Sequence, residues 1–126
     1  MKQPNKSKDE ALIAIVDDDA SVCEALESLL KSIGFRAATF TSARGFLDFT
    51  ELANVSCVVL DVSMPKMSGL ELQRHLLASN PIPIIFITAR NGKSREQALR
   101  AGAIAFLTKP FSDEALIDSL HAALGA

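Results

Sequence analysis

Long apolar runs are missing from this chain of 126 residues. The longest, such as residues 12–16 and 82–87, are strand-sized, far short of the ~20 residues that span a bilayer. An excess of one charge is missing too. Thirteen Lys+Arg face fifteen Asp+Glu, a net charge of −2, with no basic block. That argues against a general nucleic-acid binder or a binder of anionic membranes. The polar start, residues 1–10, has no apolar h-region of the secretory kind and reads as a flexible lead-in. Cysteine is scarce. Cys23 and Cys57 lie in apolar segments without metal-ligand spacing, which suits two buried, reduced thiols in a cytoplasmic protein better than a disulfide.

What is present is a core. Apolar residues make up 48% of the chain and the mean hydropathy is +0.22, values that argue against disorder. At this length one domain can bury roughly two-thirds of its unfolded surface. Residues 11–126 are therefore expected to form a single domain.

Apolar runs alternate with amphipathic stretches along the whole chain. Residues 12–16 predict a strand that stops at Asp17. Asp19 can cap a helix on which Val22, Leu26, Leu29, Leu30 and Ile33 recur at helical spacing, and Gly34 stands where a left-handed residue ends it. A strand over residues 35–40 is followed by Thr41 and Ser42, caps for a helix through Phe46, Leu47 and Phe49. Residues 57–60 form an apolar run ending at Asp61. Ser68 and Gly69 open a helix carrying Leu70, Leu72, Leu76 and Leu77, which Asn80 and Pro81 close. Residues 83–87 predict a fourth strand ending at Thr88, residues 94–101 a helix stopped by Gly102, and residues 104–107 a fifth strand ending at Lys109. Ser112 caps a last helix, with Asp113 and Glu114 in its first turn and Leu116, Ile117, Leu120 and Leu124 as its buried stripe. Continuous apolar strands imply helices on both sheet faces. Right-handed crossovers then give a doubly wound α/β sandwich with a five-stranded parallel sheet.

Ligands in such folds bind beyond the carboxyl ends of the strands. There the pattern gathers Asp17, Asp18, Asp61, Thr88 and Lys109 around one crevice. Crowded carboxylates resist full ionisation without a cation. Oxygen ligands without His or Cys suit a hard metal such as Mg²⁺. A hydroxyl and an ammonium opposite would hold an anionic group, and these are the parts of a phosphoryl-transfer site. Each residue has a plainer reading: Asp17 and Asp18 as a helix start, Asp61 as a turn, Lys109 as a solvated charge. Their convergence outweighs those readings. Asp19 is better read as a cap than a ligand, and His75 and His121 receive no role.

Several motifs then resemble a family. Ile15-Val16-Asp17-Asp18-Asp19, Leu60-Asp61-Val62-Ser63-Met64-Pro65-Lys66-Met67-Ser68-Gly69, Ile87-Thr88-Ala89, and Phe106-Leu107-Thr108-Lys109-Pro110-Phe111 are similar to those of response-regulator receiver domains of two-component signalling, FixJ-type receivers above all. The resemblance runs from about residue 11 to residue 124. It implies a flavodoxin-like (βα)5 receiver with strand order 2-1-3-4-5. Asp61 would be the phospho-acceptor for a sensor histidine kinase or phosphotransfer protein. Mg²⁺, or Mn²⁺ in its place, would be held by Asp18 and Asp61 directly, by Asp17 through water and by the Ser63 carbonyl. Lys109 and Thr88 would bind phosphoryl oxygens, Phe106 would be the switch aromatic that turns inward when Thr88 shifts, and the Lys109–Pro110 bond would be cis. Such a domain transfers phosphate only onto itself and relays the signal by conformational change. It binds neither nucleic acid nor membrane directly, and could form a homodimer on phosphorylation, for which Ala115, Ala122 and Ala123 offer a small apolar strip. Two departures stand out: no acidic residue occurs among Arg90, Asn91, Gly92 and Lys93, and the switch aromatic is Phe rather than Tyr. A haloacid-dehalogenase-like phosphatase is the alternative. It is disfavoured because Asp61 lies on the third strand, followed by Val62 and Ser63 rather than by a second Asp two residues on. A flavin or nucleotide carrier is disfavoured by the acidic triplet where a phosphate loop would be needed. Whether an output domain accompanies the chain is left open.

Overall fold

The computed structural model describes residues 11–89 and 94–125. The expected lead-in at residues 1–10 and the loop of Arg90 to Lys93 lie outside the described residues. Strands and helices alternate as β1 (Leu12–Val16), α1 (Ala20–Ser32), β2 (Arg36–Phe40), α2 (Ala43–Leu47), β3 (Cys57–Asp61), α3 (Gly69–Ser79), β4 (Ile84–Thr88), α4 (Arg95–Arg100), β5 (Ala105–Thr108) and α5 (Asp113–Leu124). A single 3-10 turn, Leu52–Asn54, precedes β3. All neighbouring strands pair parallel in the order β2-β1-β3-β4-β5.

The two-residue period of a strand divides the core. Ala14, Val16, Val58, Leu60, Ile84 and Phe86 face Phe46, Leu72, Leu76 and Ala98 on one side of the sheet. Their neighbours Ile13, Ile15, Cys57, Val59, Ile85 and Ile87 face Cys23, Leu26, Leu30, Leu116 and Leu120 on the other. The central strands β1, β3 and β4 are buried along their whole length. The edge strands β2 and β5 are less buried, with Arg36, Thr39 and Thr108 exposed, so a fully buried run describes only the middle of the sheet.

Local chemistry sets the element ends. The side chains of Asp19, Ser42, Ser68 and Ser112 each accept a backbone N–H in the first turn of a helix. Gly34, at φ 100°, sends its N–H to Lys31, while Phe35 N–H reaches back to Leu30. That paired left-handed closure is open to glycine without steric cost.

Several expected boundaries move. The second strand starts at Arg36, the fourth at Ile84 and the fifth at Ala105. The second helix ends at Leu47, and Phe49 lies beyond it, its ring 5.0 Å from that of Phe40. Ser94 makes no side-chain cap. Leu77 is half exposed, facing away from the α3 stripe. Ile117 is only half-buried, and Ala123 packs on the core, which interrupts the apolar strip expected on the outside of α5.

Candidate functional site at the carboxyl edge of the sheet

The ladder positions the site residues. Asp61 closes β3 and Thr88 closes β4, while Asp17 and Lys109 immediately follow β1 and β5. Pairing continues past the strand ends: Asp17 N–H donates to the Phe40 carbonyl at 3.0 Å and Lys109 N–H to the Thr88 carbonyl at 2.7 Å. Asp17, Asp61 and Thr88 are buried, whereas Asp18 is exposed at the rim. One carboxylate oxygen from each of Asp17, Asp18 and Asp61 falls within 4.8 Å of the others. The acidic cluster expected from sequence is therefore assembled.

Asp17 is held twice. Its Oδ1 accepts the Asp19 N–H at 2.9 Å, and its Oδ2 accepts Lys109 Nζ at 2.8 Å. The resemblance implies that Lys109 serves a phosphoryl oxygen; in this structure its ammonium neutralises Asp17. Asp19 is the cap the sequence indicates. Its side chain accepts both the hydroxyl and the N–H of Ser21, which hold its carboxyl below the usual range.

Burial and the neighbouring Asp17 charge push the Asp61 carboxyl up to about 6. Asp18 adds to the rise, while the Lys109 charge and a hydrogen bond from the Ser63 backbone oppose it. An acid so strained by like charges is stabilised by a cation between them. The donor set is all hard oxygen, with room at the exposed Asp18, so the residues fit a divalent ion of the Mg²⁺ class.

The loop from β3 to α3 depends on Gly69. Its N–H donates to the Val62 carbonyl at 2.9 Å, and a Cβ there would stand 2.4 Å from the Asp61 carbonyl oxygen. Ser68 and Glu71 complete a reciprocal cap that starts α3 directly behind the loop. The helix start was legible at Ser68-Gly69; the tight approach of Gly69 to Asp61 was not.

Phe106 packs inward against Phe86, with ring centroids 6.0 Å apart, and is 9% exposed. The resemblance has this ring turning inward as part of switching. Here it already lies inside while Lys109 pairs with Asp17. The Lys109–Pro110 bond is cis, as expected.

Sequence reasoning missed two polar contacts. Gln73 is buried on α3 and donates through Nε2 to the Ala98 carbonyl on α4 at 3.1 Å. Cys23, read from sequence as core alone, also donates its thiol to the Asp17 carbonyl at 3.2 Å. Neither has a local signal, because the partners are distant in sequence or are main-chain atoms.

Comparison with known proteins agrees with this geometry. The family model described as response regulator receiver domain matches residues 13–121. Response regulator protein TmoT of Ectopseudomonas mendocina is 47% identical over 117 residues, covering 91% of this chain and 53% of the relative. The transcriptional regulatory protein FixJ of Bradyrhizobium diazoefficiens is 37% identical over 114 residues, covering 89% and 56%. The chain thus spans about half the length of the curated relatives it matches. A crystal structure of a response regulator receiver protein from Burkholderia phymatum superposes with a TM-score of 0.80 at 46% identity, covering 91% of this chain and 95% of that one.

Proposed function

Because the chain belongs to the response regulator receiver domain family, we propose that it is a phosphorylation-dependent switch whose acceptor is Asp61, supplied by a sensor histidine kinase or a phosphotransfer protein. The observation that carries the reading is the three-carboxylate cluster with Lys109 and Thr88 on flanking strand ends. The phosphatase alternative is not favoured by the family match or by the place of Asp61 on the third strand.

In the proposed reaction an Asp61 oxygen attacks the phosphorus of a phosphohistidine. An O–P bond forms, the P–N bond breaks, and its electron pair returns to the imidazole, which takes a proton from solvent. A carboxyl titrating at about 6 is mostly the nucleophilic anion at neutral pH. Asp17, Asp18, Asp61 and the Ser63 carbonyl would hold Mg²⁺ or Mn²⁺. When bound, that ion neutralises the crowded charge and the developing charge on the phosphoryl oxygens. The Lys109 ammonium turns from Asp17 to one phosphoryl oxygen, and the Thr88 hydroxyl donates to another.

Output follows from population shift. Phosphorylation draws Thr88 toward Asp61 and favours the inward Phe106 that the structure already contains. The ring acts by packing alone, since it has no hydroxyl. Such a switch couples two states by roughly 1–3 kcal/mol. Residues 11–126 would be the receiver unit, cytoplasmic, able to pair with a second copy on phosphorylation and without its own nucleic-acid or membrane surface. Among the described residues no helix is long and apolar enough to cross a membrane.

Incubation with Mg²⁺ and acetyl phosphate tests the reading. It predicts one acid-stable, hydroxylamine-labile phosphoryl group, absent from Asp61→Ala. An unmodified wild type, or equal labelling of Asp61→Ala, would overturn it.

A further inference from the structure

Asp17 and Asp18 share a crevice but are held differently. The Asp17 carboxylate has two fixed partners, the Asp19 N–H and Lys109 Nζ. Among the described residues nothing hydrogen-bonds to the Asp18 side chain. The backbone therefore sets where its side chain starts, beginning with the peptide that joins it to Asp17.

The carbonyl of that peptide accepts the thiol of Cys23 at 3.2 Å. Cys23 is buried in the first turns of α1, and its sulfur also lies 3.6 Å from the Phe40 carbonyl, which receives the Asp17 N–H. The thiol thus sits where β1, β2 and α1 meet. From there it ties the acidic strand end to a rigid helix. Burial and the nearby Asp17 charge push the thiol up, so it keeps the proton it donates.

We infer that Cys23 is a positioning residue for the metal site, fixing through the Asp17 carbonyl the peptide plane that aims Asp18. The inference rests on the receiver reading of the acidic cluster. A thiol suits the task because it is apolar enough for a core position and still carries a donor. Replacing a residue that holds a metal ligand in place commonly weakens metal binding, by about 10- to 100-fold where it bonds to the ligand side chain directly.

The test is calorimetric Mg²⁺ titration of Cys23→Ala, Cys23→Val, Cys23→Ser and Asp18→Ala, with amide exchange at Asp19 followed in metal-free protein. Cys23→Ala and Cys23→Val, which lack the donor, should weaken Mg²⁺ binding by roughly 3- to 10-fold and speed Asp19 exchange. Cys23→Ser, which restores a donor, should stay within about twofold of wild type. Val fills the space of the thiol without a donor, so a loss confined to Ala would mean packing and would overturn the inference. Equal losses in Ala, Val and Ser would also overturn it. Wild-type affinity in all three, with binding lost in Asp18→Ala, would refute the role of Cys23 and leave the metal site standing. Full Mg²⁺ binding by Asp18→Ala would remove the site itself and the inference with it.

Discussion

Replacing Asp61 by Asn should stabilise the metal-free protein, and the gain should depend on pH. The Asp61 carboxyl stands at about 6 in the fold against an ordinary 3.8. Between these values the folded chain holds a proton that the unfolded chain has lost. Stability therefore falls as pH rises through that window and is constant above it. The rise from 3.8 to about 6, at 1.36 kcal/mol per pH unit, amounts to about 3 kcal/mol, and the open rim at Asp18 reduces this to about 2 kcal/mol. Asn has the shape of Asp61 without its charge. It should thus exceed wild type by about 2 kcal/mol at pH 8 and by much less at pH 4. Urea unfolding of both proteins in chelator at the two pH values measures the difference. Carboxylates distant from Asp61 titrate alike in both proteins and cancel. A variant no more stable than wild type at pH 8, or a gain of equal size at pH 4, would refute the argument that crowding and burial raise this acid.

Gly69→Ala should cost roughly 1–3 kcal/mol in denaturant unfolding, because its Cβ would meet the Asp61 carbonyl oxygen at 2.4 Å and Val62 Cα at 3.0 Å, both backbone; unchanged stability would show that the loop yields freely. Asp18→Ala should abolish Mg²⁺-dependent phosphorylation while leaving the metal-free fold as stable or more so, and normal labelling by acetyl phosphate would count against its role. Thr88→Ala should accept phosphate at Asp61 yet lose the phosphorylation-dependent change in Phe106 environment, read from its ring resonances; a full response would dismiss the coupling. Beryllofluoride with Mg²⁺ should promote dimer formation in sedimentation at high protein concentration, and identical profiles with and without it would remove that proposal.

The parts of the fold visible in sequence are those with local causes. The central strands announce themselves as apolar runs because helices cover both faces, and four helix starts follow from Asp19, Ser42, Ser68 and Ser112. The edges are less legible. β2 and β5 are only partly buried, and their limits drift by a residue. Phe49 carries a helical spacing but lies beyond the end of α2, packed against Phe40 on the same face of the sheet. At the site, the strand-end rule gathers Asp17, Asp61, Thr88 and Lys109 without knowledge of their contacts. The pairing of Lys109 with Asp17 spans 92 positions, and the Cys23 and Gln73 bonds go to main-chain carbonyls. No residue pattern encodes such partners. The inward Phe106 packs against Phe86, a contact between neighbouring strands with no local signal.

The central claim is chemical identity at one residue. An acyl phosphate is reduced by borohydride, so the modified aspartate is converted to homoserine at its own position. Protein treated with Mg²⁺ and acetyl phosphate, reduced and digested should yield homoserine at position 61 and at no other aspartate, with none formed when Mg²⁺ is chelated. Homoserine at Asp17 or Asp18, or its absence throughout, would contradict the assignment of Asp61 as the acceptor.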